Sequence, residues 1–155
     1  MQDQRLDEMD RRILAELQRE GRQSHVELSE RVNLSPSACL RRVKRLEQVG
    51  IIAGYVALLD RAQAGRSTTV FVEITLDGQA DEVLDAFEAA VLQVPDVLEC
   101  HLMAGSADYL IKVVAKDSEH FAEVHRKQIA TLPGVARIQS SFSLRRVLES
   151  TVLPV

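Results

Sequence analysis

Residues 24–50 read SHVELSERVNLSPSACLRRVKRLEQVG, and the punctuation in that stretch decides the N-terminal fold. Ser24 with Glu27 three residues on is a capping box, the signature of a helix start. The helix it opens, over about 26–32, buries Leu28 and Val32 and stops at Asn33-Leu34. Ser35-Pro36 then begins another helix, because Ser caps the exposed N–H groups and Pro suits the first helical position. Gly50 closes it. Three or four residues between two such helices is the connection length of a helix-turn-helix. Upstream, Asp7 opens a helical pattern with Met9, Ile13, Leu14 and Leu17 on one stripe, ended by Gly21. Downstream, 51–59 (IIAGYVALL) is β-rich and too short for a helix with Gly54 inside it. It predicts a strand leading out of a (winged) helix-turn-helix domain over 1–60, and 60–67 has a linker's composition.

At 100° per residue, the helix after Ser35 divides cleanly. Cys39, Leu40, Val43 and Leu46 share the core side, while Ser37, Ala38, Arg41, Lys44 and Arg45 lie opposite and Arg42 lies on the flank. Short side chains at the N-terminal end would let the helix approach base edges in a major groove, where Arg41 can reach guanine bidentately. Arg42, Lys44 and Arg45 suit phosphate contacts, which fix position and carry no sequence information. A basic helical stretch taken alone is usually a solvated face. Its place in a helix-turn-helix points to double-stranded DNA instead, with Ser35, Ser37, Ala38, Arg41, Arg42, Lys44 and Arg45 as the DNA-facing set.

The second half alternates between strand and helix patterns. Strands are expected over 68–76, 97–104, 108–115 and 135–144, with helices over 79–94 and 118–132. The order β-α-β-β-α-β is that of a ferredoxin-like domain, here over 66–148, followed by a tail over 149–155; the chain is α+β. An internal echo supports it. Val94-Pro95-Asp96-Val97 recurs as Leu132-Pro133-Gly134-Val135, and each time Pro ends a helix and Val begins a strand. Helices cover only one face of such a sheet. The open face would carry Phe71, Glu73 and Thr75 with Leu110, Lys112 and Val114, an apolar-polar surface suited to pairing with a second protomer or to coverage by the tail.

The chain has 155 residues and a net charge of −4. Residues 1–62 hold 11 Lys+Arg against 10 Asp+Glu, and residues 63–155 hold 8 against 13, so the acidity belongs to the second half. No apolar run approaches the roughly 18–20 residues of a membrane span, and the charged start is unlike a signal peptide. Two cysteines make no disulfide framework, which points to a cytoplasmic location. Enzyme chemistry finds no assembled site. Cys39 falls on a core face, Cys100 and His101 alternate across a strand, and His120 and His125 are five apart where a metal pair on one face prefers four. No CxxC, Walker loop, GxSxG or GxGxxG is present, and no cofactor is expected.

Three segments, LDEMDRRIL (6–14), ELSERVNLSPSACLRRVKRLEQVGIIAG (27–54) and MAGSADYLIK (103–112), resemble the Lrp/AsnC family of leucine-responsive regulators. They occur in that family's order and spacing from about residue 6 to 148. VFVEITL (70–76) and ECHL (99–102) bring the chain closest to the family's leucine-responsive namesake. The resemblance implies a transcription regulator whose homodimers assemble further, often to octamers, and whose C-terminal domain senses a small amino acid such as leucine.

The resemblance also implies an effector site at the Gly-x-x-Asp segment, between subunits. Gly105-Ser106-Ala107-Asp108-Tyr109 sits between two central strands. Gly105 can adopt φ > 0, backbone N–H groups of such a turn can receive a carboxylate, and Asp108 can meet an α-ammonium. An ordinary hairpin with Asp as turn residue accounts for the segment equally well. By the same match Leu102, Ser140 and Phe142 line the pocket, with Met103 beside them, although Phe142 is also a natural core residue. The common pattern places an acidic residue directly after the glycine and an aromatic next. Ser106 and Ala107 stand there instead, which bears on the ligand that fits.

The expectation is a two-fold dimer on quasi-palindromic DNA, tuned by an amino acid at subunit interfaces. A ligand-independent DNA-organising multimer is the alternative; a metabolic protein that binds a small molecule is the more distant one.

Overall fold

A computed structural model describes residues 6–155 and divides them into two compact units. One contains the described residues through Ala57 together with Val147–Val155, and the other is Leu58–Arg146.

In the first unit, α1 spans Glu8–Arg19, α2 His25–Arg31 and α3 Pro36–Gln48. Each starts where a side chain accepts from an otherwise orphaned backbone N–H. Asp7 accepts from Asp10 N, Ser24 from Glu27 N and Ser35 from Ala38 N. The first two caps are reciprocal boxes, the second of which the sequence announces. Asn33 takes a left-handed φ of 55° in the α2–α3 connection, a conformation its short polar side chain tolerates better than most residues do. Gly50, at φ 77°, follows α3. Ile13, Leu14, Leu28, Val32, Cys39, Val43 and Leu46 form the core. Near the C-terminus, Leu153 N donates to Gln18 Oε1 (2.6 Å) and Gln18 Nε2 donates to Leu153 O (3.1 Å).

The expected strand over 51–59 is not formed. The segment has no ladder partner among the described residues, and Val56, Leu58 and Leu59 are largely exposed. β-propensity creates a strand only where a neighbouring backbone receives its N–H and C=O groups, and the described residues supply none.

In the second unit, β1 (Thr68–Leu76), α4 (Asp81–Val91), β2 (Val97–Leu102), β3 (Tyr109–Ala115), α5 (Ser118–Val124) and β4 (Val135–Phe142) follow in the expected order. The sheet order is β2-β3-β1-β4, and every pairing is antiparallel. The helix expected over 118–132 changes character after Val124, where His125–Ile129 forms a π-helical turn. Gly134, at φ 74°, accepts from Asp77 N through its carbonyl (2.8 Å), and a Cβ there would lie 3.0 Å from Val83 Cγ1. That close approach makes the glycine of the second Pro-Gly exit a packing requirement.

Register fixes the two faces. Val70, Val72 and Ile74 pair with Val113, Ile111 and Tyr109 and are fully buried against the helices. Phe71, opposite Lys112, and Glu73, opposite Leu110, take the other face, as the alternation requires. There Lys112 Nζ donates to Glu99 Oε1 at 2.6 Å, and that bond is the main reason the Glu99 carboxyl sits below its ordinary range.

The Phe87 ring is fully buried and packs 4.4 Å, centroid to centroid, from Tyr109, joining α4 to β3. Phe87→Ala should cost about 3–5 kcal/mol. Urea unfolding checks this, and a loss below about 1 kcal/mol would mean that the ring is not the keystone of that layer.

Candidate functional site

Helix α3 presents its small N-terminal end and part of its cationic face to solvent. Ser35, Ser37, Arg41 and Lys44 are exposed; Ala38, Arg42 and Arg45 are half-buried. Ser35 Oγ lies 3.3 Å from Ser37 Oγ while capping the helix. The four cations are not equivalent. Arg42 Nη1 donates to Asp7 Oδ2 (2.7 Å) and to Asp10 Oδ1 (2.9 Å), and Arg45 Nη2 donates to Asp10 Oδ2. Asp10 is itself 1% exposed. Among the described residues, neither Arg41 nor Lys44 has an ion-pair or hydrogen-bonded side-chain partner.

Electrostatics agree with that division. The Asp7 carboxyl is held below its ordinary range, first by the Asp10 N–H and then by Arg42, and the two carboxylates raise Arg42 further. Two of the cations expected at phosphates are thus already matched by carboxylates of α1. The sequence carried a hint, because D-x-x-D at a helix start is a capping-box spacing, but nothing in it says that the second Asp turns inward.

The Gly-x-x-Asp segment forms the β2–β3 connection. Gly105 and Ser106 are exposed, Ala107 is half-buried, and Asp108 and Tyr109 are buried. Gly105 does not take the left-handed φ anticipated for it; the glycines with positive φ are Gly50, Gly65 and Gly134. The connection bends without it because six residues, 103–108, are enough for an open loop. Asp108 points inward. Its Oδ2 accepts from Leu76 N (2.7 Å), its Oδ1 from Gln79 Nε2 (2.7 Å), and its own N–H donates to Ile74 O (2.9 Å). The carboxylate therefore fastens the loop to the end of β1, with Gln79 as a partner that the sequence did not disclose. Tyr109 Oη donates to Glu88 Oε1 (2.7 Å); burial, and after it this bond, raises the phenol well above its usual range.

The remaining expected effector residues are spread apart. Leu102 ends β2 at one sheet edge, whereas Ser140 and Phe142 lie on β4 at the other. Phe142 pairs with Val70 and Tyr109 with Ile74, so the two ends are separated by about 13 Å along β1. Phe142 packs edge-on to Phe121 at 5.2 Å yet stays half exposed. One chain does not bring the loop and Phe142 together.

Residues 6–53 match the model for winged helix-turn-helix DNA-binding domains, and residues 69–153 match the Lrp/AsnC ligand binding domain. The chain belongs to the Lrp/AsnC family. It is 44% identical over 150 residues to the leucine-responsive regulatory protein of Salmonella typhimurium, covering 97% of this chain and 92% of that protein. Among solved structures, a Neisseria meningitidis transcriptional regulator in complex with L-Met superposes with a TM-score of 0.92 at 39% identity, covering 97% of each chain. An AsnC family transcriptional regulator from Agrobacterium tumefaciens gives 0.92 at 33%, covering 96% of this chain and 97% of that one. This Lrp/AsnC protein is accordingly a DNA-binding transcription regulator with a ligand-binding domain, and not an enzyme. Among its described residues no helix is long and apolar enough to cross a membrane.

Asp108→Ala should cost about 1–3 kcal/mol of stability, because it strands the buried Leu76 N–H. Thermal or urea unfolding without ligand checks this. Unchanged stability would mean that the carboxylate is not a structural fastener.

Proposed function

We propose that this chain controls transcription as a homodimer that reads a quasi-palindromic site with two copies of α3. Ser37 and Ala38 admit the helix to the major groove, Arg41 reaches a base edge, and Lys44 contacts phosphate. The carrying observation is the exposed stripe of Ser37, Arg41 and Lys44, whose two cations have no side-chain partner among the described residues. A lone helix reads only a few base pairs, so two-fold symmetry supplies the remaining specificity. Such a regulator works where the chromosome is, in the cytoplasm.

The second part of the reading is an amino-acid effector, leucine or another with an apolar side chain, bound at the β2–β3 loop. Support comes from the family's ligand-binding domain and from the L-Met bound by the Neisseria relative. The exposed stretch Gly105-Ser106 offers backbone N–H groups to a carboxylate, while half-exposed Leu102, Met103 and Phe142 offer apolar walls. Because Phe142 lies far from the loop in one chain, the pocket takes its walls from two protomers. Phe71 and Leu110 on the open sheet face suit such pairing, and dimers assemble further toward an octamer. Ligand then acts by preferring one assembly over another.

Two measurements test this reading. Arg41→Ala should weaken binding to a preferred site by about 1–3 kcal/mol and relax its specificity; equal weakening on random DNA would reduce Arg41 to a phosphate contact. In a thermal-shift screen against the twenty amino acids, a true effector at 100 times its Kd should add about 2.7 kcal/mol. No response to any of them would favour the ligand-independent DNA-organising multimer.

A further inference from the structure

The cationic side of α3 is divided by partners that lie within its own unit. Around the helix axis, Arg42 and Arg45 lie toward one flank and Lys44 toward the other, with Arg41 between them on the outer side. The first pair converges on Asp10. That carboxylate is almost completely removed from solvent, and its two oxygens accept from two different guanidinium groups. Arg42 is additionally held by Asp7, the residue that caps α1. A carboxylate oxygen and a phosphate oxygen make the same charge-assisted bond to arginine, so a guanidinium nitrogen bonded to Asp10 is withheld from DNA. The two side chains remain only partly shielded, Arg42 31% and Arg45 43% exposed, so both would come within reach of a backbone if released.

We propose that Asp10 is a positioning residue for DNA recognition: it sequesters Arg42 and Arg45 against α1 and leaves Arg41 and Lys44 as the cations of α3 that meet DNA. The effect is on discrimination. Phosphate contacts strengthen binding to every sequence alike, so two arginines held back lower the background against which Arg41 reads a base. The same carboxylate sets the rotation of α3 on α1 and hence the direction in which Ser37 and Arg41 project. Asp7, exposed and accepting from the Asp10 N–H as well as from Arg42, supports the clamp from its rim.

This assignment rests on α3 being the DNA-contacting helix, and the experiment separates the two ideas. Binding of the full-length protein to a random-sequence duplex is followed by fluorescence anisotropy from low to moderate salt, giving the slope of log K against log salt. Asp10→Asn keeps the shape and removes the charge. It should tighten random-duplex binding and steepen the slope by about 0.9 for each arginine released per bound protomer. Arg42→Gln and Arg45→Gln, which each leave Asp10 one arginine partner, should leave the wild-type slope unchanged, with folding verified by circular dichroism. Lys44→Gln should make it shallower by about 0.9 per bound protomer.

If Arg42→Gln or Arg45→Gln reduces the slope as Lys44→Gln does, those arginines touch phosphate in the wild type and the clamp is overturned, while α3 remains the DNA helix. If Lys44→Gln and Arg41→Gln both leave the slope unchanged, the reading of α3 itself fails. An Asp10→Asn protein that folds and keeps the wild-type slope also overturns the clamp. Should that variant not fold, the two arginine variants decide the matter alone.

Discussion

The buried carboxylate of Asp10 is the interaction on which the DNA-binding unit is organised. It lies where α1 and α3 meet, accepts from Arg42 and Arg45, and completes the reciprocal cap of its own helix by accepting from Asp7 N at 3.2 Å. A carboxylate removed from water is tolerable only when charged partners surround it, and stripping one partner from such a cluster typically costs about 3–5 kcal/mol. Helix α3 is therefore held by electrostatic geometry in addition to apolar packing. Ile13, Leu14, Val43 and Leu46 would pack acceptably over a range of small rotations, whereas a fork of two guanidinium groups on one carboxylate allows few.

An analogous fastener operates in the second unit. Asp108 accepts from the last residue of β1 and from Gln79, and its backbone N–H closes on Ile74 O. The β2–β3 loop is thereby anchored at its C-terminal end, while Gly105 and Ser106 remain exposed. That combination suits a binding loop, because a fixed base presents a short stretch of free backbone at little entropic cost. It also changes the part that Asp108 plays. Both of its oxygens accept bonds from its own unit, so the carboxylate serves as the loop's anchor.

Much of the fold was legible because its signals are local. Ser24 with Glu27, Ser35-Pro36 and Gly50 announced two helices of the N-terminal unit within a residue or two of their bounds. The alternation in TTVFVEITL predicted the two faces of β1, and the repeated Pro exits predicted where β2 and β4 begin. The failures are as instructive. IIAGYVALL has strand composition but no strand, because pairing is a property of two segments and the described residues offer it no second one. The π-helical turn at His125–Ile129 left no mark on the apolar pattern, since one extra residue per turn shifts the stripe too little to detect over five residues.

By itself, then, the sequence determined the α+β class, the helix-turn-helix, the β-α-β-β-α-β order and the resemblance that placed the chain among Lrp/AsnC regulators. Each of these follows from spacing along the chain: caps, periodicities and motif order. Only the tertiary structure decided which charges are free. Asp10 lies 32 and 35 residues from Arg42 and Arg45, and Asp108 lies 32 from Leu76, so no local pattern could pair them. A wheel drawn for α3 gives four cations on or beside its outer face. The folded unit commits two of them to carboxylates, because bringing α1 alongside α3 puts a buried charge within their reach and burial without partners would be prohibitive.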